Sequence, residues 1–235
     1  MIQNTSYNRY FSQPFRLHGW LILSCCFSCL LLCTRVVATG YVTYIFLVWN
    51  LFLAFIPYAI SNWLYDNRTA MKSRLKQAAV VAAWLLFIPN SFYILTDLFH
   101  LEEIGSAPKW FDLVLLLSFA WNGLLLGIIS LRKMETILYR SNGNGFSLLM
   151  IFTVMWLNAC GIYIGRFLRY NSWDVITQPF SLAGEMFEML FHPFRNKMEW
   201  GMIFCYAMFM TLLYVTIKKM SENFNQLNKS INQNQ

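Results

Sequence analysis

Apolar residues in this chain fall into long runs separated by short polar or charged segments. Each run approaches the length of about 20 residues that an α-helix needs to cross a bilayer core about 30 Å thick. The pattern therefore predicts an all-α bundle with about six membrane-spanning helices. The predicted spans lie near residues 17–34, 41–65, 78–96, 111–131, 146–166 and 200–217.

The segments outside these runs predict one transmembrane domain with two short polar ends. Residues 1–16 are expected to form a cytoplasmic N-terminal segment, and residues 17–217 the helical domain. Residues 218–235 are rich in Asn and Gln, which favours a disordered cytoplasmic tail. The first apolar run has the length of a signal peptide, but Arg35 directly after it is more typical of a retained helix.

The composition is typical of a membrane protein and predicts that the chain contacts the lipid bilayer. The chain of 235 residues is 57% hydrophobic and 12% charged, whereas a soluble domain carries about 25% charged residues. Its net charge of +7 comes from short basic clusters between apolar runs, so it does not indicate nucleic acid. All six cysteines lie inside apolar runs, where they are expected to pack as small hydrophobic residues.

The basic residues between the spans predict the orientation of the bundle. Loops with more Lys and Arg stay in the cytoplasm. If both termini are cytoplasmic, that side holds twelve of the eighteen basic residues, namely Arg9, Arg16, Arg68, Lys72, Arg74, Lys76, Arg132, Lys133, Arg140, Lys218, Lys219 and Lys229. Eight of the eleven acidic residues then lie on the outer side, which topology alone does not explain.

The long outer connection before the last span predicts an amphipathic helix that lies in the membrane interface. Its apolar residues fall on one helical face and its charged residues on the other. The apolar face comprises Ala183, Met186, Phe187, Leu190, Phe191 and Phe194, and Pro193 is expected to end the helix. Such a helix serves either as a simple lid on the bundle or as one wall of a site.

Polar residues interrupt the third span. Asn90, Tyr93, Asp97 and His100 follow a three-four-three spacing, which confines them to one face of an α-helix. An ionisable side chain in hydrocarbon costs several kcal/mol, so this stripe is expected to face the bundle interior or a pocket. Pro89 removes a backbone hydrogen bond and predicts a kink beside the stripe.

The fifth span carries the complementary groups. Asn158, Gly161, Gly165 and Arg169 share one face, and the glycines form a small-xxx-small pair that lets a neighbouring helix approach. Three alternatives remain for Arg166 and Arg169: contact with lipid phosphates, pairing with Asp97, or bidentate binding of a substrate phosphate. The other intramembrane amides, Asn50 and Asn122, are expected to hydrogen-bond to a partner helix.

These residues define a candidate site. Asp97 and His100 are the candidate acid–base groups, and the candidate substrate-binding residues are Asn90, Tyr93, Arg166, Arg169 and Asp174. Metal ligation is the weaker alternative because the chain has only three histidines. A purely structural hydrogen-bond network is the other alternative. No nucleotide-binding loop, zinc-binding helix or nucleophile elbow is found, so the sequence names no cofactor.

Three motifs resemble an uncharacterised family of bacterial multi-pass membrane proteins. They are Pro89-Asn90-x-x-Tyr93-Ile94-Leu95-Thr96-Asp97-Leu98-Phe99-His100-Leu101, Trp110-x-Asp112, and Gly165-Arg166-Phe167-x-Arg169-x-Asn171-Ser172-Trp173-Asp174-Val175. The likeness covers roughly residues 35–216. It implies a bacterial cell membrane and supplies no activity. Where that family has a small residue and a proline after the Asn, this chain has Ser91 and Phe92.

The sequence thus predicts an integral membrane protein with an outward-facing polar pocket that binds or acts on a lipid-linked or other anionic envelope substrate. Two alternatives stay open. One is a transporter or channel subunit with a path along the kinked third span. The other is a non-catalytic scaffold, in which the polar groups only clasp the helices together.

Overall fold

The computed structural model of the protein describes residues 14–67, 73–102, 107–138, 144–170 and 174–233. These residues form helices and short connections, with no β-strand among them. The helices are α1 (Pro14–Thr39), α2 (Phe46–Asp66), α3 (Arg74–Tyr93), a 3-10 helix (Ile94–Glu102), α4 (Lys109–Leu138), α5 (Asn144–Arg166), α6 (Asp174–Thr177), α7 (Pro179–Phe191) and α8 (Lys197–Gln233).

The prediction of an all-α bundle with six spans is confirmed. Helices α1, α2, α4, α5 and α8, together with α3 and the 3-10 helix that continues it, are long and apolar enough to cross a membrane. Each span begins or ends within a few residues of its predicted bounds, apart from extensions of α4 and α8 beyond the apolar runs. The chain is a multi-pass membrane protein.

Helix α4 lies at the centre of the bundle. Its first half packs Leu115, Leu116 and Phe119 into a core shared with α1, α2 and the 3-10 helix. Its second half packs Ile128 and Leu131 into a second core shared with α3, α5 and α8. One helix therefore holds the two halves of the bundle together.

Buried polar side chains also join the spans. Asn122 of α4 donates hydrogen bonds to the Ser28 hydroxyl at 2.9 Å and the Ser24 carbonyl at 3.1 Å, both on α1. Trp84 of α3 donates to the hydroxyl of Ser130, 2.8 Å away on α4. Amides and hydroxyls in an apolar bundle need such partners, and the predicted interhelical role of Asn122 is confirmed.

The end of α3, with Ile94 at the start of the 3-10 helix, lies between two glycine pairs on neighbouring helices. A Cβ atom at Gly123 of α4 would lie 2.2 Å from Ile94 Cγ2 and 2.9 Å from the Ser91 carbonyl oxygen. On α5, a Cβ at Gly161 would lie 2.7 Å from the Pro89 ring. Glycine is required at these positions because any side chain would overlap the end of α3.

The predicted interfacial helix is present as α7, which ends before Pro193. Met189 is buried against the bundle and Met186 packs beside the same core. Four residues of the predicted apolar face remain exposed, namely Phe187, Leu190, Phe191 and Phe194. In a membrane protein, such a face is available to lipid.

The prediction of a disordered tail is wrong for the described part of residues 218–235. Helix α8 continues without a break through Gln233. The tail contains no Gly or Pro to stop a helix, and a helix already nucleated by the preceding span propagates at little cost. Of the predicted N-terminal segment, residues 1–13 lie outside the described part of the chain.

Candidate functional site

Asp97 is the centre of the polar cluster at one end of the bundle. Its side chain is 2% exposed, and its Oδ2 accepts a hydrogen bond from the Asn50 amide of α2 at 2.8 Å. Its Oδ1 lies 3.5 Å from Nη1 of Arg166, at the end of α5. The carboxylate therefore connects the ends of two helices that flank the 3-10 segment.

The predicted stripe divides into two groups because the helix changes type. A 3-10 helix advances about 120° per residue instead of 100°, so residues after Tyr93 rotate away from the face that carries Asn90. Asp97 and His100, three residues apart, stay on one face and turn toward α2. There the His100 ring packs on Phe46 with 5.1 Å between centroids, and Tyr44 donates to the His100 carbonyl at 3.0 Å.

The two candidate arginines have different environments. Arg166 is 15% exposed, donates from Nη2 to the Thr96 carbonyl at 3.0 Å, and lies 5.9 Å from the centre of the Tyr93 ring. Arg169 is exposed and adopts the left-handed conformation with φ 61°. Of the two, Arg166 makes the ion pair with Asp97.

Asp174 lies at the start of α6 and is 9% exposed. Its Oδ1 accepts a hydrogen bond from the Thr177 hydroxyl at 2.9 Å, within the same turn. A carboxylate in the first turn of a helix stabilises the unpaired N–H groups there. This local contact gives Asp174 a structural part in α6.

A groove of about 500 Å³ runs beside the cluster. It lies between α2, α3, α5 and α7, and α7 covers it through Leu182 and Met186. Asn90 and Tyr93 of the predicted site line this groove. The other residues of the predicted site are not among its lining residues, namely Asp97, His100, Arg166, Arg169 and Asp174.

The groove has a polar end and an apolar end. Its polar lining residues are Asn50, Asn90, Tyr93 and Tyr170. The other wall residues along α3 and α5 are apolar, among them Ala82, Leu85, Leu86 and Leu157. Asn50 and Tyr93 line the groove, and each also contacts one member of the Asp97–Arg166 pair.

The side chain of Asn90 makes a hydrogen bond within α3, next to Pro89. Its amide donates to the Phe87 carbonyl at 3.0 Å, whereas the carbonyl deprived of its usual partner by Pro89 is that of Leu85. The Pro89 ring packs in the space left by Gly161. The predicted small-xxx-small pair therefore receives Pro89, and Gly165 receives Tyr93 in the same way.

A second acid–arginine pair was missed as a pair by the sequence reasoning. Arg35 of α1 makes a bidentate contact with Asp112 of α4, with Nε to Oδ1 at 2.7 Å and Nη2 to Oδ2 at 3.1 Å. The side chains are 0% and 2% exposed, and the guanidinium lies 4.4 Å from the Tyr44 ring centre. The sequence did contain a signal for this pair. Arg35 and Asp112 carry opposite charges at the ends of two apolar spans that lie on the same side of the predicted membrane.

The cluster consists of hydrogen-bond donors arranged around the carboxylate of Asp97. Among the described residues, no group of three His, Cys, Asp or Glu side chains lies close enough to share a metal ion. Amide, phenol and guanidinium groups are hydrogen-bond donors suited to phosphate or carboxylate oxygens.

Together the six apolar helices define a polytopic α-helical membrane protein. The chain belongs to the family described as protein of unknown function DUF1361, whose profile matches residues 49–213. The match covers all the predicted site residues and Asp112, while Arg35 lies before it. No curated protein and no solved structure is significantly similar to the chain.

Proposed function

We propose that the protein binds an anionic lipid or lipid-linked molecule in the groove between α2, α3, α5 and α7. The observation that carries this proposal is the division of one groove into a polar and an apolar end. A lipid has the same division. Its chain would lie along Ala82, Leu85 and Leu86, and its headgroup would approach Asn90 and Tyr93.

The length of the groove supports a chain from one leaflet. Along α3 the lining runs from Ala82 to Tyr93, which is eleven residues or about 16 Å at 1.5 Å per residue. That length is about half of a 30 Å hydrocarbon core. Pockets for such ligands are mostly apolar, with a few polar groups that fix orientation.

Charge near the polar end favours an anionic headgroup. Arg166 lies 5.9 Å from the centre of the Tyr93 ring, which lines the groove, and Arg169 is exposed beyond the end of α5. A rotation of either side chain toward the groove mouth would bring a guanidinium to a phosphate, where it can bind bidentately. Asp97 would hold Arg166 in place until a ligand arrives.

Binding is better supported than acid–base catalysis. Asp97 is 2% exposed and already hydrogen-bonded to Asn50, and the His100 ring packs on Phe46. A general acid or base must come within hydrogen-bond reach of its substrate. We therefore assign Asp97 and His100 to positioning the polar end of the groove.

We place the protein in a bacterial cytoplasmic membrane with both termini in the cytoplasm, so that the groove opens toward the outer leaflet. The uneven distribution of Lys and Arg between the loops supports this orientation. Reporter fusions at residues 142 and 235 should be active only for a cytoplasmic reporter. Activity of a periplasmic reporter at either position would reverse the orientation.

Native mass spectrometry with phosphatidylglycerol tests the proposed binding. Ala82→Trp should fill the apolar end of the groove and weaken retention of this lipid at least tenfold. Ala83→Trp is the matched control. Ala83 is the next residue of α3 and is also exposed, but it is not among the residues that line the groove. The same measurement with phosphatidylcholine, which has the same acyl chains and a zwitterionic headgroup, tests the preference for an anionic headgroup.

Each outcome separates the alternatives. Equal retention by the two tryptophan variants and wild type would exclude the groove as the lipid site and favour a scaffold held together by its ion pairs. Transport of the lipid between leaflets in proteoliposomes, lost in Ala82→Trp but not in Ala83→Trp, would favour the transporter alternative. Loss of headgroup preference in Arg166→Gln would support the proposed role of the guanidinium.

A further inference from the structure

The last part of α8 extends beyond the bundle as a continuous helix. The apolar span ends at Lys218 and Lys219, and the helix continues through Gln233. At 1.5 Å per residue, the fourteen residues from Met220 to Gln233 project about 21 Å. No Gly or Pro lies in this segment to bend it back toward the membrane surface.

This projecting segment carries one narrow apolar stripe. Met220, Phe224, Leu227 and Ile231 are 53%, 60%, 57% and 55% exposed. Their spacing is four, three and four residues, which is the a/d pattern of a heptad repeat. Every other residue from Ser221 through Asn232 is polar. A two-in-seven pattern of this kind is typical of a coiled-coil seam and is narrower than the face of a helix that packs on a globular core.

The stripe faces away from its own bundle. At the root of the segment, Arg132 of α4 contacts Glu222 at 3.4 Å, and Tyr214 donates to Glu135 at 2.6 Å. Lys218 also contacts Glu135. With 100° per residue, Glu222 lies about 140–180° from each of the four stripe residues. The contacts with α4 therefore fix the helix with its seam outward.

We propose that this seam pairs with the same seam of a second copy of the chain, in a parallel two-stranded coiled coil. The membrane imposes the geometry. Two copies inserted with the same orientation present parallel α8 helices at the same height, so their a and d positions are in register. A helix that continues straight from a membrane span points away from the bilayer, so its apolar stripe does not contact lipid. We therefore take another protein helix as the partner of the stripe.

The residues beside the seam fit self-pairing. The e and g positions are Ser221, Asn223, Asn228 and Ser230, so no like charges meet across the interface. The charged residues Glu222 and Lys229 occupy outer f positions. Two heptads are marginal for free peptides in water, but confinement of both copies to one membrane raises their effective concentration.

Cysteine crosslinking tests the pairing in membranes. In a background with the six native cysteines replaced by serine or alanine, Ile231→Cys places a thiol at an a position and Lys229→Cys places one at an f position two residues away. Mild oxidation should crosslink the a-position variant at least tenfold faster than the f-position variant. Retained folding of the background is checked by its elution as a single species in detergent.

Subunit counting by photobleaching in liposomes tests the same pairing without native-cysteine replacement. Leu227→Glu should raise the dissociation constant of the dimer at least tenfold, while Gln226→Glu, which adds the same charge at an outer position, should leave it unchanged. A monomeric wild type would overturn the proposal. Equal crosslinking at residues 229 and 231, or crosslinking only to a protein of different mass, would overturn it as well.

Discussion

Among the described residues, two carboxylate–arginine pairs lie at the same end of the bundle, and they differ in their contacts and in their exposure to solvent. Arg35 and Asp112 share two hydrogen bonds, and both side chains are almost fully excluded from solvent. Arg166 meets Asp97 through one contact at 3.5 Å and keeps 15% of its side chain exposed. The first, closed pair is bidentate and shielded from solvent, whereas the second, open pair has one longer contact and a partly exposed arginine.

Under the proposed function, this difference separates a structural pair from a pair that responds to a ligand. Two desolvated charges need each other, because removing either leaves the other uncompensated in a low dielectric. A partly exposed guanidinium that also donates to the Thr96 carbonyl can exchange one anionic partner for another at small cost. The open pair is therefore the one suited to respond to a ligand.

The largest expected effect comes from breaking the closed pair. Arg35→Leu should destabilise the folded protein by about 3–5 kcal/mol, because Asp112 would remain buried without its partner. The measurement is thermal unfolding in detergent, together with the amount of protein recovered from membranes. The double variant Arg35→Leu with Asp112→Leu should regain most of the loss, and an unchanged unfolding temperature in Arg35→Leu would contradict a structural role for this pair.

The open pair depends on the packing of the 3-10 helix that carries Asp97. Gly123→Ala should cost about 1–3 kcal/mol by overpacking, since the new Cβ would lie 2.2 Å from Ile94 and 2.9 Å from the Ser91 carbonyl. The displaced 3-10 helix should also weaken lipid retention. Gly201→Ala is the control because a Cβ there has no neighbour within 4 Å. Equal stability of the two variants would show that the helix shifts freely.

Removing the charge of the open pair should cost less. Asp97→Asn keeps an oxygen for the Asn50 amide and leaves Arg166 bonded to Thr96, so the loss should be about 1 kcal/mol. A double-mutant cycle with Arg166→Gln measures the coupling directly. We expect a coupling below about 1 kcal/mol, as for partly exposed ion pairs. A larger value would make the Asp97–Arg166 pair a second structural clasp.

The sequence predicted the spans well because hydropathy reports directly on burial in lipid. The amphipathic pattern likewise predicted α7, and the spacing of Gly161 and Gly165 predicted a close approach by another helix. In each case, the signal lies within one segment and needs no knowledge of its neighbours. Predictions from such local patterns therefore do not depend on how the helices pack against one another.

The site was predicted less well for two physical reasons. The stripe from Asn90 to His100 was projected on an α-helix throughout, but packing of Ile94 and Ser91 on Gly123 accompanies a 3-10 turn that redirects Asp97 toward α2. The partners of Asp97 and Arg35 are 47 and 77 residues away in sequence. Their pairing depends on which helices are neighbours, and periodicity does not encode that.

The smallest expected effect concerns Arg169, whose φ of 61° lies in the left-handed region. A side chain in this conformation costs about 1–2 kcal/mol relative to glycine. Glycine also increases the entropy of the unfolded chain, which offsets part of the stabilisation. Arg169→Gly should therefore stabilise the protein by about 0.5 kcal/mol, while Arg169→Ala, which keeps the strained Cβ, should not stabilise it.

Anionic lipid binding should respond in the opposite direction. If the exposed guanidinium attracts the headgroup, both variants should lose the same fraction of phosphatidylglycerol retention, and the difference from wild type should shrink at high salt because exposed charges are screened. Backbone strain at this position would then be retained at the mouth of a binding site. Unchanged lipid retention in both variants would show that Arg169 does not contribute to lipid binding. Arg166 would then be the remaining candidate of the two arginines.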